Sequence, residues 1–454
     1  MDSSDARLRI LCLCGAVLLG LTLTVAAFRP GYMSTDSLVQ LAQARSGSFS
    51  DWHPPLMSWL WGRLDRVSPG PIGMLYFHNL LFWGALSLLA GLTVRGVVLP
   101  GLVTLAVGLL PPVFALLGTI WKDVGLGTAL LLAFALLLLA ERRASRWSLG
   151  FSIACLFYAF STRHNSAPAL LPLTVWAAWI FLARLRSRPI RRPFLGALLG
   201  GLALLGCIGG GSALVSGHLT GHQSQYPVQQ ILIHDLVAIS VQTGKSELPL
   251  DIQKGQPFSP EEFRQIYFPD SLVFLFCCDN SSRRLEMVRD SEHLAGLMRA
   301  WLRAVLDHPW YYVQHRLRMA GSLLGWGRDQ VCYPFQRSVE GNLPGVRFHQ
   351  TIYNSLVMRA LTAVQDSFLF RGWIYLLLSL GLTIWAGVTW RQPGRVPLFI
   401  LSSSALLYLL PYLPAATACD FRLIWWSALA VLVSPLLVFR VLAPGEPPVD
   451  GRTR

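Results

Sequence analysis

Asp36, in the run GYMSTDS, is followed along the chain by other short polar groups that could share chemistry with it. They are His53 in WHPPL, Lys122 and Asp123 in TIWKDVG, Arg163 and His164 in STRHNSAP, and Asp420 and Arg422 in ACDFRL. A carboxylate among cations suits general-base work beside an anion: the carboxylate takes a proton from an attacking hydroxyl, and the cations stabilise charge on the departing group. In that scheme Asp36 is the base. His53, Lys122, Arg163 and Arg422 hold the anion with His164 beside them, and Asp123 positions the incoming hydroxyl or orients Lys122. Plainer readings stand next to these. Ser34, Thr35 and Asp36 suit the first turn of a short helix, where the macrodipole favours an anion. Lys122 and Asp123 read equally as interfacial residues, Arg163 and His164 as the polar tip of a helical hairpin, and Asp420 with Arg422 as a local ion pair. Pro54 and Pro55 hold His53 in an extended stretch before the next helix.

The elements that must position these groups are membrane spans. Of 454 residues, 53% are hydrophobic and only 14% charged, with a mean hydropathy of +0.48, which excludes an ordinary soluble domain of this length. Runs long enough to cross a bilayer lie near 8–28, 72–94, 101–120, 124–140, 148–162, 167–183, 194–216, 373–390, 397–412 and 423–439, so the sequence predicts an all-α polytopic protein of about ten helices. The first run follows Arg7 and Arg9 but has no small-residue cleavage site, and reads as a retained span rather than a signal peptide.

The net charge of +14 falls in clusters between spans and argues against nucleic acid as a partner. With the N-terminus inside, the inner connections hold Arg95; Arg142, Arg143 and Arg146; Arg184, Arg186, Arg188, Arg191 and Arg192; Arg391 and Arg395; and Arg440, Arg452 and Arg454. Every group named in the first paragraph then falls on the other face. Three parts follow: an N-terminal membrane module over 1–216 with its outer loop at 29–71, an outer domain over 217–371 of mixed or mainly helical structure, and late spans with a cytoplasmic tail over 372–454. In the outer domain an apolar stripe at Leu294, Leu297, Met298, Trp301, Leu302 and Val305 marks a helix, and HPWYYVQHRLR after it has the composition of a helix at a membrane surface. The eight cysteines lack metal-ligand or redox spacing; a disulfide from Cys332 to Cys277 or Cys278 is open to this chain if that region meets an oxidising compartment. Inside the spans, His78 beside Asn79 is nearly the sole ionisable position. A transporter or flippase for lipid-linked glycans would place such residues along a path through the bilayer, whereas a non-catalytic assembly subunit would tolerate replacement of Asp36 and Arg163.

The Asp of GYMSTDS followed by WHPPL, the WKD and RHN elements, the HPWYY…R stretch and the late DFR together resemble the GT-C (C-fold) integral membrane glycosyltransferases, the superfamily of protein mannosyltransferases and bacterial aminoarabinose transferases. The resemblance implies an inverting transfer of a sugar from a polyprenyl-phosphate donor to a glycan, lipid or protein acceptor of the cell envelope, with Asp36 at the catalytic centre and Asp123 at the second-loop acidic position. It requires no cofactor. Some relatives use a divalent metal, for which Asp36, His53 and Asp123 would be the ligands. The sequence departs from the mannosyltransferase pattern in having Ser37 after Asp36 rather than Glu, and DFRL rather than DFRY. The Ala-, Leu- and Arg-rich composition and compact loops suggest a bacterial inner membrane, with the site on its periplasmic face.

Overall fold

The computed structural model describes residues 2–185, 193–276, 283–327, 331–340, 348, 350–392 and 394–442. Among them the protein is all-helical, with isolated β-bridges and no strand. Among the described residues seven helices are long and apolar enough to cross a membrane: Ser3–Phe28, Ile72–Thr93, Lys122–Arg143, His164–Leu185, Pro193–Thr220, Arg395–Ala415 and Phe421–Val438. An eighth crossing is available if Leu99–Gly108 and Pro111–Leu117 count as one, although these are bent by 73° at the break. The bend corrects the expected straight run over 101–120. Pro111 and Pro112 cannot continue the preceding helix, and residues 118–120 leave the helix altogether. Two further runs expected to span, 148–162 and 373–390, form the helices Arg146–Thr162 and Gly372–Val388, of 17 residues each. At 1.5 Å per residue they are about 25 Å long, short of a hydrocarbon core of about 30 Å. The cysteines Cys277 and Cys278 and the arginines Arg186, Arg188, Arg191, Arg192, Arg452 and Arg454 lie outside the described residues.

Helix Lys122–Arg143 is the most enclosed of the set, its apolar side chains packed on every side by its neighbours in the largest core. The two ends of the bundle differ in chemistry. At one, Arg9 donates to the carbonyls of Gly91 and Val94 at 2.7 and 2.8 Å, and Arg142 donates to that of Leu92, so arginines close the orphan carbonyls of Ile72–Thr93. At the other, the chain leaving Ser3–Phe28 is stitched into the loop before Lys122. Tyr32 donates its N–H to Gly118 O at 2.8 Å, and Ile120 donates back to Tyr32 O at 2.9 Å. Two glycines make this approach feasible. Gly31 has φ +118°, and a Cβ on Gly118 would run into the Phe28 ring.

The region 217–371 is helical but has two allegiances. Its first part, through helices Gln229–Thr243, Pro260–Ile266 and Ser291–Asp307, encloses a separate apolar core around Ile233, Leu236, Phe263 and Leu297. Its later part joins the bundle, with Met319, Leu323, Phe335, Leu361 and Phe370 in the main core. Helix Pro193–Thr220 also runs beyond the expected end at 216.

Candidate functional site

Asp36 lies in the first turn of helix Thr35–Ser46, as its sequence context suggests, and it also faces a charged partner. Arg422 Nη1 donates to Asp36 Oδ2 at 2.7 Å, while Arg422 Nε donates to Asp420 Oδ2 at 2.9 Å. The guanidinium therefore bridges two carboxylates, with its face 4.8 Å from the Trp121 ring centroid. Trp121 in turn donates its indole N–H to Ser34 Oγ at 2.8 Å, and Ser37 Oγ donates to Ile120 O at 2.7 Å, fixing the helix that carries Asp36.

On the other side of Asp36, His53 Nε2 lies 3.8 Å from Oδ1, and Lys122 Nζ lies 2.8 Å from His53 Nδ1. An ammonium has no lone pair, so Lys122 donates and Nδ1 accepts, which leaves the ring proton on Nε2 toward Asp36. Burial, followed by the neighbouring Lys122 charge, lowers the His53 pKa to about 3, so the ring is neutral near pH 7. Burial alone would raise the Asp36 pKa, but Arg422, His53 and Lys122 outweigh it and hold the carboxyl well below its usual range. At Asp420 burial prevails, and the carboxyl is shifted upward.

Asp123 and Arg163 form the deeper layer. Arg163 Nε is 2.6 Å from Asp123 Oδ1, an ion pair whose N–H direction misses hydrogen-bond alignment, and Arg163 Nη1 donates to the Tyr412 hydroxyl at 2.7 Å. The Asp123 side chain is fully enclosed, whereas that of Asp36 is 33% exposed. Asp36 is thus open to a solute and Asp123 is not. Lys122 is partly buried and forms no ion pair among the described residues. His164 is exposed beside the Phe160 ring and joins no ion pair of this network among the described residues. Asp36, His53 and Asp123 do not converge as a ligand set: among the described residues no three His, Cys, Asp or Glu side chains are grouped to hold a metal.

Sequence reasoning missed the segment 416–422 as a hub. Arg316 Nη1 donates to Ala416 O at 2.8 Å, Leu272 N to Thr417 O at 3.0 Å, and Phe421 N to Tyr333 O at 3.2 Å; Ala418 bridges Ser271, and Cys419 is bonded to Cys332. This pairing corrects the expected partners of Cys332: the chain brings Cys419 to a Cα separation of 5.7 Å, within disulfide reach. A further clasp closes over the loop of Asp36, where Glu340 Oε2 accepts from the backbone N–H and hydroxyl of Thr35 at 3.0 and 3.1 Å. Tyr412, Trp121 and Glu340 carried no spacing signal, although Trp121 stands next to Lys122 in sequence.

Together these features give, among the described residues, an all-helical bundle with seven helices able to cross a membrane and a charge-balanced ionic centre at one end. No family model matches the chain, and neither the curated proteins nor the solved structures contain a match to it.

Proposed function

We propose that this chain is a membrane glycosyltransferase of GT-C type, transferring a sugar from a polyprenyl-phosphate donor to a cell-envelope acceptor. In this reading about ten helices cross a bacterial inner membrane, the arginine-rich end is cytoplasmic, and the region 217–371 contributes a periplasmic cover. The observation that carries the reading is the partly exposed Asp36 carboxylate held between Arg422 and the His53–Lys122 pair, with Arg163 behind.

The proposed reaction begins with the donor phosphate against Lys122, whose ammonium has protons left beyond the one given to His53. Arg422 then divides its charge between the phosphate and Asp36. As it turns toward the phosphate, Asp36 loses the neighbour that suppresses its basicity and becomes able to accept a proton. The acceptor oxygen attacks the anomeric carbon, its proton passes to Asp36, and the bond to the phosphate oxygen breaks with its electron pair leaving on polyprenyl phosphate. Lys122 and Arg422 stabilise that charge. Asp123 keeps Arg163 in place, and no metal-dependent step is needed for the balance.

The test is sugar transfer in membranes from a panel of radiolabelled polyprenyl-phosphate sugars, comparing wild type with Asp36→Asn at matched expression. A donor-dependent product that falls about 10²–10⁴-fold in the variant supports the reading. Equal product from both removes Asp36 as base, and no product with any donor overturns the transferase reading.

A further inference from the structure

A cavity of about 940 Å³ lies away from the ionic centre, and none of its lining residues belongs to that centre. Leu21 and Val25 of helix Ser3–Phe28 form one wall, Ile72 and Tyr76 of Ile72–Thr93 the other, and Tyr353 closes one side. Arg29 stands at its end. The Arg29 guanidinium is exposed and has no hydrogen bond or ion pair among the described residues. From Leu21 to Arg29 the groove follows the last two turns of the first span, about 12 Å along the helix, at the same end of the bundle as Asp36.

Its flanks identify its surroundings. Leu18, one turn before Leu21, is 64% exposed, and Leu80, one turn after Tyr76, is 51% exposed. Both belong to helices long and apolar enough to span, so the groove opens sideways onto hydrocarbon rather than water. Its polar rim is of interfacial type. Tyr76 and Tyr353 are both partly exposed, and the start of helix Ile352–Val364 adds the partial positive charge of its first turn.

We infer that this groove binds an anionic phospholipid of the bilayer, with one hydrocarbon chain between the Leu21–Val25 and Ile72–Tyr76 walls and the phosphate on Arg29. The charge selects the head group, because a lone guanidinium at the depth of lipid phosphates favours an anion over a zwitterion. The inference does not rest on the proposed transferase reaction.

The test is native mass spectrometry of the full chain in detergent, titrated with phosphatidylglycerol, phosphatidylcholine or polyprenyl phosphate. Wild type is compared with Arg29→Gln and with Ala26→Trp, in which an exposed alanine on the groove wall becomes bulky. The expected result is preferential retention of phosphatidylglycerol by wild type, with a loss of fivefold or more in each variant. Equal retention by all three proteins, or equal binding of phosphatidylcholine, overturns the assignment. Retention of polyprenyl phosphate without phosphatidylglycerol also overturns it, and makes the groove a donor site instead.

Discussion

Arg316→Met offers a stability test whose size follows from the structure. Arg316 is 5% exposed and donates through Nη2 to Asp235 Oδ2 at 2.6 Å and through Nη1 to Ala416 O at 2.8 Å. Asp235 is fully buried, and its one other hydrogen bond among those described comes from Trp301 Nε1 at 2.8 Å. Without the guanidinium the carboxylate keeps the Trp301 N–H and faces His315 Nε2 at 3.5 Å, a ring that burial holds neutral, so with no cation left to balance it the carboxylate takes up a proton instead. At pH 7 that uptake costs about 1.4 kcal/mol for each unit above the unfolded value of about 3.9, or about 4 kcal/mol in all. The lost bond to Ala416 adds about 1 kcal/mol. Burial already raises the Asp235 pKa in the intact protein, and the substitution raises it further. A carboxyl whose folded pKa lies above its unfolded one contributes stability below the unfolded pKa that is lost as pH rises through the folded one, so the deficit of the variant grows with pH. Because wild-type Asp235, its pKa already raised, bears part of the same loss, the expected deficit is at most about 5 kcal/mol at pH 7 and at most about 2.5 kcal/mol at pH 5. Hydrogen exchange of helix Gln229–Thr243 in the full chain, at both pH values, reads it as local opening. A deficit that does not change with pH would refute the reasoning. So would an Asp235→Asn/Arg316→Met double variant no more stable at pH 7 than the single one, since removing the stranded charge should recover about 3 kcal/mol.

Other outcomes follow from the site. Lys122→Gln should raise the KM for a polyprenyl-phosphate donor and lower kcat, by about tenfold or more in kcat/KM, since Lys122 both holds the phosphate and stabilises its charge on departure; unchanged values of both remove Lys122 from phosphate binding. Because burial and Lys122 lower the His53 pKa to about 3, activity should show no break between pH 6 and 7 that disappears in His53→Gln. His53 binds its proton more readily unfolded, so it makes the fold lose stability as pH falls from about 6.5 toward 3, a slope that thermal unfolding of His53→Gln should lack. Replacing Cys332 and Cys419 by Ser opens a link across 87 residues and should cost up to about 4 kcal/mol, measured as a lower unfolding midpoint that reductant produces in wild type and not in the variant.

Much of this arrangement is legible in the sequence because membranes impose coarse rules. A lipid environment admits long apolar helices, and these stand out in composition; the ionisable residues of WHPPL, WKD, RHN and DFR fall at span ends because the interiors exclude them. The fold brings Arg422, His53 and Lys122 around Asp36. What the sequence conceals depends on packing between distant segments. The bend at Pro111 is a local signal outweighed by the length of the apolar run over 101–120. The choice of Cys419 as partner for Cys332 depends on how residues 331–340 return across the bundle, which no spacing encodes. The enclosure of Asp123 behind Arg163 likewise separates two carboxylates that look alike in sequence.

The ion pair of Asp36 with Arg422 joins positions 386 residues apart. At ribosomal speeds of 5–20 residues per second, roughly 20–80 s pass between the synthesis of one partner and that of the other. Throughout that interval the nascent chain holds Asp36 without Arg422, although His53 and Lys122 are already made. Until then the Asp36 loop lacks the latch that Arg422 provides. The ionic centre is completed late in synthesis, with the segment that brings Asp420 and Arg422 into place.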